Sequence, residues 1–332
     1  MSSPERFFEK QRLGLRASVR RRLGAAMTDG FFSTAARSSR LLPLAHPRLH
    51  KVVVERNLPY RNTGKAEHTL DVYRPVDEAT GPRPCVLYIH GGGFRVLSKD
   101  THWIFGLAYA RRGFVVVNVN YHLAPGRPFP AAVEDVASAW QWLVESAPRL
   151  GIDLSRVVVA GESAGANLAV SLTLAATMRR DESFARDVFG TNVVPKAVVA
   201  ACGIYEVSRP ERFSPLHVFF RDRLEEVSDA YLGGVRLPER MLDFADPLAP
   251  LERGETFERP LPPVFLPCGT WDHLLDDSRR LHAALVRAGS TGSRLGEYAR
   301  GPHAFHAFVF TPAALACWRD TFSFLGEHGA MP

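Results

Sequence analysis

Three things are scarce in this 332-residue chain, and each scarcity excludes something. Cysteine is the first: Cys85, Cys202, Cys268 and Cys317 are scattered, with no Cys-x-x-Cys pair. That spacing argues against a disulfide framework and against a thiolate metal centre, and the histidines lack ligand spacing too; buried free thiols in a reducing compartment are expected, hence a cytoplasmic protein. Long apolar runs are the second. None approaches the roughly 18 residues that span a bilayer, and the start of the chain has no apolar core followed by a small-residue cleavage site. Acidic residues near the start are the third. Residues 1–51 carry eleven Lys or Arg against three acids, a net of +8, whereas the whole chain carries +6 and residues 52–332 are therefore close to neutral at −2. A basic patch so local, with no nucleic-acid motif beside it, predicts no nucleic-acid binding.

What is present is the composition of a globular protein with a sizeable core, 46% hydrophobic and 23% charged. Residues 4–42 read as an amphipathic helix, with Phe7, Phe8, Leu13, Leu15, Val19 and Leu23 among arginines, then Phe31 and Phe32. A transit peptide and a membrane-surface helix are alternatives; the preferred reading is a cap packed over the main body. From residue 51 the texture changes to two strand-like runs, KVVVERNLPY and HTLDVYRP, joined by a polar turn. Short β-rich runs follow at 85–89, 114–119, 156–161, 196–201 and 264–268, with helical patterns at 101–112, 131–147, 164–180 and 276–288. Apolar strands alternating with helices predict an α/β fold with a mostly parallel central sheet covered on both faces. The rhythm breaks over 205–250, which is too long for a plain connection and reads as an insertion with helices of its own.

Chemistry concentrates at two of the strand ends. Ser163 lies in VVVAGESAG, a Gly-x-Ser-x-Gly pattern where a strand gives way to a helix. A serine there stands on a sharp corner with its hydroxyl exposed, and the Ala164 amide at the helix start faces developing negative charge. The second stretch is YIHGGGF, residues 88–94: three consecutive glycines leave backbone amides open to a substrate oxygen, and His90 would hold the loop by a side-chain hydrogen bond. A nucleophilic serine needs a base, and the base needs an orienting acid. Asp272 follows the strand VFLPC, while Asp276 and Asp277 fall at helical spacing in a first turn. His303 and His306 both qualify as base. They belong to two copies of His-Ala-Phe, and His303, after Gly301-Pro302, is preferred as a loop residue; His306 reads as an aromatic-flanked packing residue and His273 as a pocket-wall or surface residue.

These motifs resemble the hormone-sensitive-lipase-like group of α/β-hydrolases, over roughly residues 50–328. HGGGF is similar to the family's HGGG, GESAGANLA to its G-D-S-A-G-G-N-L-A elbow, and NYHLAPGRPFPAAVEDV to its Y-R-L-A-P-E segment; YLGG (231–234) and DPLAPL (246–251) also have counterparts. Glu162, His122 and Gly126 depart from the family's Asp, Arg and Glu. Before the histidine the family has a strand and a loop, and its histidine motif opens a helix.

The resemblance implies an α/β-hydrolase fold with a helical cap: cap helices over 1–50, core over 51–204 and 251–332, and a cap insertion over 205–250. It implies a carboxylesterase cleaving small-molecule esters of short to medium acyl chains through an acyl-enzyme, with no metal and no cofactor. Ser163, Asp272 and His303 would be catalytic, Gly92, Gly93 and Ala164 would form the oxyanion hole, and His90 and Glu162 would support them. Phe94, Trp103, Phe219 and Phe220 are candidate pocket aromatics. An amidase or deacetylase on the same machinery is the alternative enzyme, and a non-catalytic ligand receptor, which such folds also furnish, would lack the histidine retained here. Peripheral membrane contact through the basic segment and a homodimer stay open.

Overall fold

The computed structural model describes residues 45–76, 81–213, 218–233 and 238–332, with Gly30, Thr34 and Ser38 singly. The expected cap helix over 4–42 therefore lies outside the described residues, as does Gly234 of YLGG.

In chain order the elements are β1 (Val52–Pro59), β2 (Thr69–Pro75), β3 (Arg83–Ile89), α1 (Trp103–Ala110), β4 (Val115–Val119), α2 (Ala131–Leu150), β5 (Ile152–Glu162), α3 (Ala164–Thr177), α4 (Ser183–Gly190) and β6 (Ala197–Ala201). There follow α5 (Val218–Leu232), α6 (Glu239–Leu242), α7 (Leu248–Glu252), β7 (Val264–Gly269), α8 (Leu275–Arg287), β8 (Arg294–Tyr298) and α9 (Pro312–Glu327). The sheet order is β1-β2-β4-β3-β5-β6-β7-β8. β1 and β2 run antiparallel to their neighbours, and the six strands from β4 to β8 are parallel.

Alternation explains the two covered faces. Cys85, Leu87 and Ile89 of β3 enter one core with Trp140, Leu168 and Leu281, whereas Val86 and Tyr88 enter the other with Phe105, Cys317 and Phe324. α3, made of Ala, Leu, Val and small polar residues, is buried on every side, as an element with no solvent face must be. All four cysteines are buried and free.

Connectivity decides where a site can form. From β3 the chain moves to β4 on one side, then returns to β5 on the other, so the order reverses between β3 and β5. Ile89 pairs with Gly161 at that seam, and the loops after both strands open side by side at their carboxyl ends, where doubly wound sheets bind ligands. The loops after β7 and β8 are tied together as well, by Thr270 N–H to Tyr298 O (2.9 Å) and Trp271 N–H to Gly301 O (3.0 Å).

Each expected core strand is present within a few residues. β8 and α9 were not expected from the residue pattern. β8 is an edge strand, RLGEY, with one buried residue, so it carries no apolar run to read. Nor does the His-Ala-Phe segment open an α-helix: Phe305–Ala307 form a single 3₁₀ turn, and α9 starts at Pro312 with Thr311 Oγ1 accepting from Ala314 N–H (3.2 Å) as N-cap.

Candidate active site

The corner at Ser163 is strained in the manner the glycines permit. Ser163 has φ 53° and ψ −118°, a left-handed backbone that costs a non-glycine residue about 1–3 kcal/mol. A Cβ on Gly161 would lie 2.4 Å from Gly165 O, and one on Gly165 would lie 2.1 Å from Ile89 O. Only glycines at both positions let the start of α3 press onto β3 and β5, and that approach lifts Ser163 out of the sheet. Its N–H is held by Ala201 O (2.8 Å).

Three loops converge on the serine. The Ser163 hydroxyl donates to Nε2 of His303 (3.0 Å), and Nδ1–H of His303 donates to Oδ2 of Asp272 (2.8 Å). The other Asp272 oxygen accepts from Leu274 N–H (2.9 Å). Burial raises the Asp272 pKa, but the facing His303 outweighs it and leaves the carboxyl below the ordinary range. For His303 burial lowers the pKa and Asp272 outweighs it, so the imidazole is more basic than usual. The His303 side chain keeps 40% exposure against 1% for Asp272: the acid is sealed, the imidazole faces the mouth. Of the neighbouring acids, Asp276 is exposed in the first turn of α8, and Asp277 is buried against Arg212 (2.6 Å) and the Tyr205 N–H (2.9 Å).

The glycine loop sits opposite. Gly92 takes φ 113°, and a Cβ there would come within 2.1 Å of Val96 O. Among the described residues the amides of Gly92, Gly93 and Ala164 make no hydrogen bond to the protein, so all three are free to donate. The His90 ring stacks on Tyr121 at 4.2 Å, with its Nδ1 2.7 Å from Gly91 O. Burial lowers its pKa to about 3, so it stays neutral.

Two expectations need correction and one is enlarged. Phe94 is fully buried, stacked at 3.7 Å on Tyr231 of α5, and Trp103 is buried at the start of α1; both pack the interior instead of lining an open pocket. Phe219 and Phe220 do stand exposed at the start of α5, and the Phe220 ring lies 3.7 Å from that of His273. His306 does more than pack among aromatics: its Nε2 lies 3.2 Å from Oε2 of Glu162, whose Oε1 contacts His102 Nε2 at 2.7 Å. His122, in place of the family's arginine, answers Asp135 through both its backbone N–H (2.8 Å) and Nδ1 (2.7 Å).

Among the described residues two groups bring metal-type donors together, His68–His122–Asp135 and Cys202–Asp272–His303. In the first, Arg61 already faces Asp135 at 3.2 Å, a fixed cation where a metal would need the charge. In the second, burial pushes the Cys202 thiol far up and keeps it protonated, while His303 is committed to Ser163. No helix among the described residues is long and apolar enough to cross a membrane.

Comparison with known proteins gives the family. Residues 86–307 match the family described as alpha/beta hydrolase fold. Carboxylesterase NlhH of Mycobacterium tuberculosis is 30% identical over 236 residues, covering 70% of each chain. Esterase LipI of the same organism is 32% identical over 210 residues, 62% of this chain and 61% of that protein, so the match spans less than two thirds of that relative. The crystal structure of esterase LipW from Mycobacterium marinum superposes with a TM-score of 0.68 at 25% identity, covering 92% of this chain and 90% of that one. The chain belongs to the α/β-hydrolases, in the hormone-sensitive-lipase-like carboxylesterase family that its motifs resemble.

Proposed function

We propose that this protein is a serine carboxylesterase that hydrolyses small-molecule esters of short to medium acyl chain. The observation that carries the reading is the unbroken contact from Asp272 through His303 to Ser163, on a left-handed corner beside three undonated amides. Ser163 Oγ attacks the ester carbonyl as its proton passes to His303 Nε2, and Asp272 holds the ring in the tautomer that can accept it. The amides of Gly92, Gly93 and Ala164 hold the oxyanion. Collapse expels the alcohol, protonated by His303, and leaves an acyl-serine. Water, activated by the same imidazole, then releases the acid.

The roof of the site is α5, part of the insertion assigned to the cap. Val227 packs against Gly93 so closely that a Cβ there would fall 2.9 Å from its methyl, and Arg95 pairs with Glu226 at 3.1 Å. In this reading the segment 205–250 and the N-terminal residues 1–50 together size the substrate. Four buried thiols suit a reducing, cytoplasmic setting.

The test is hydrolysis of a p-nitrophenyl ester series from acetate to decanoate, run beside Ser163→Ala and with mapping of the adduct left by a serine-directed fluorophosphonate. Turnover of the shorter esters, loss in the variant and an adduct on Ser163 are expected. An adduct elsewhere, or full activity in Ser163→Ala, would sink the assignment.

A further inference from the structure

Glu162, the residue before the proposed nucleophile, is buried and touches the glycine loop, the serine corner and the turn after the histidine. It ends β5 and is bonded in sequence to Ser163. Its Cγ and Oε1 lie against Gly91, where a Cβ would fall 3.0 Å from each, so it abuts the start of the glycine loop. Its Oε1 contacts His102 Nε2 (2.7 Å), at the far end of that same loop where α1 begins. Its Oε2 faces His306 Nε2 (3.2 Å), on the turn three residues after His303. The two imidazoles are themselves wedged, His102 stacked on Phe105 at 5.5 Å and His306 packed on the same ring at 5.4 Å.

We infer that Glu162 is a positioning residue: through His102 and His306 it locks the glycine loop, the serine corner and the histidine loop into one register. The inference rests on the proposed function and goes beyond it, because Glu162 has no part in bond making. The three loops come from three different strand ends, and a 1 Å misplacement of reacting groups costs about 100-fold in rate. One carboxylate contacting all three ties their positions together. Burial would raise its pKa, but the facing His102 and His306 hold the carboxyl well below the ordinary range, so it stays ionised. The other titratable groups around it are silent. Burial pushes Tyr88, Tyr121 and Cys202 far up and His90 down to about 3. The Glu162 charge also reaches His303 and, after Asp272, helps raise its basicity.

Two observables separate positioning from mere packing. Glu162→Gln keeps size and burial but removes the charge. Its kcat should fall about 10- to 100-fold with KM within about twofold, because alignment is lost and binding is not. The acid limb of kcat/KM, which reports the free imidazole, should move to lower pH. Glu162→Asp should return that limb to the wild-type pH, while recovering kcat only in part because the shorter chain cannot span both rings. The rate of Ser163 labelling by a fluorophosphonate should follow the same pattern, and that readout needs no ester substrate. A Glu162→Gln protein with wild-type kcat and acid limb overturns the inference. So does one that loses melting temperature and kcat while its acid limb stays put and Glu162→Asp restores nothing. Should Glu162→Gln not fold, His306→Gln serves instead: a loss of about tenfold in kcat supports the inference, and full activity overturns it. Failure of the wild-type protein to label on Ser163 would overturn the proposed function itself, and the inference with it.

Discussion

His303 and His306 come from the two copies of His-Ala-Phe, three residues apart, and each faces a carboxylate. Their surroundings differ. His303 is 40% exposed, has Asp272 behind it and Ser163 in front. His306 is 7% exposed and faces a Glu162 equally buried; His306 and Tyr88 line a cavity of about 20 Å³, room for one water, and the His306 Nδ1 and the Tyr88 hydroxyl are not hydrogen-bonded among the described residues. A carboxylate at the back of an imidazole is thus insufficient to make a base. Access to a nucleophile makes one, and a helix-free loop gives His303 that access where a 3₁₀ turn aims His306 inward.

The sharpest way to break this comparison is to exchange the losses. His303→Ala should abolish turnover, by about 10⁶-fold in kcat, since serine and imidazole act as a unit. His306→Ala should retain measurable activity, lowered about tenfold, and lose melting temperature because a buried carboxylate is left with one partner fewer. Steady-state kinetics on a short-chain ester beside a thermal melt decide it. An active His303→Ala protein next to a dead His306→Ala protein would mean the wrong triplet was chosen.

Asp272→Asn comes next. The amide would hold the imidazole in the wrong tautomer, for an expected loss of about 10⁴-fold in kcat. Asp277→Asn, in the first turn of α8, should leave kcat within about threefold. Reversed effects would relocate the orienting acid.

The pH profile sharpens the comparison further. His303 acts as a base only when neutral, and Asp272 raises its pKa once burial is overcome. kcat/KM should therefore rise with pH through a midpoint above the ordinary imidazole value of about 6.5. A midpoint below that value would mean burial had won over the carboxylate. Stability moves the other way: a raised histidine pKa contributes stability present below the unfolded value and lost as pH climbs through the folded one.

Much of this site was legible in the sequence because its reacting groups sit at strand ends, where motif and strand are contiguous. Ser163, Asp272 and the glycine loop each follow an apolar run that announces the strand, whereas His303 is marked by its order after Asp272 and by the Gly301-Pro302 turn before it. Glu162 was legible as a neighbour of the serine and not as a hub. Its partners His102 and His306 lie 60 and 144 residues away in sequence, and only the β3–β5 seam and the β8 loop bring them together. Phe94 and Trp103 were misread for a related reason. Aromatic character is the same in a pocket and in a core, and the stack of Phe94 on Tyr231 exists only once α5 has folded over the loop. β8 escaped because an edge strand with one buried residue has no apolar alternation to display.

The smallest expected effect separates two adjacent acids and so tests burial alone. Asp276 and Asp277 share the first turn of α8 and meet the same helix dipole. Asp276 is exposed, so Asp276→Asn should forfeit only its interaction with the helix N-terminus, about 0.5 kcal/mol at low salt and less at high salt. Asp277 is buried, accepts the Tyr205 N–H and pairs with Arg212, which reaches on to the Glu206 carbonyl. Burial raises its pKa even against that arginine, so its charge is held at a desolvation cost that the pair must offset. Asp277→Asn leaves Arg212 without its closest counter-charge, and the expected loss is about 3 kcal/mol. Denaturant melts of both variants at two ionic strengths measure the difference. Asp276→Asn should be salt-sensitive and small, Asp277→Asn larger and nearly salt-independent, because screening ions cannot enter a buried pair. Equal losses would mean that the pocket around Asp277 admits water and that its pairing with Arg212 adds nothing beyond the dipole both acids share.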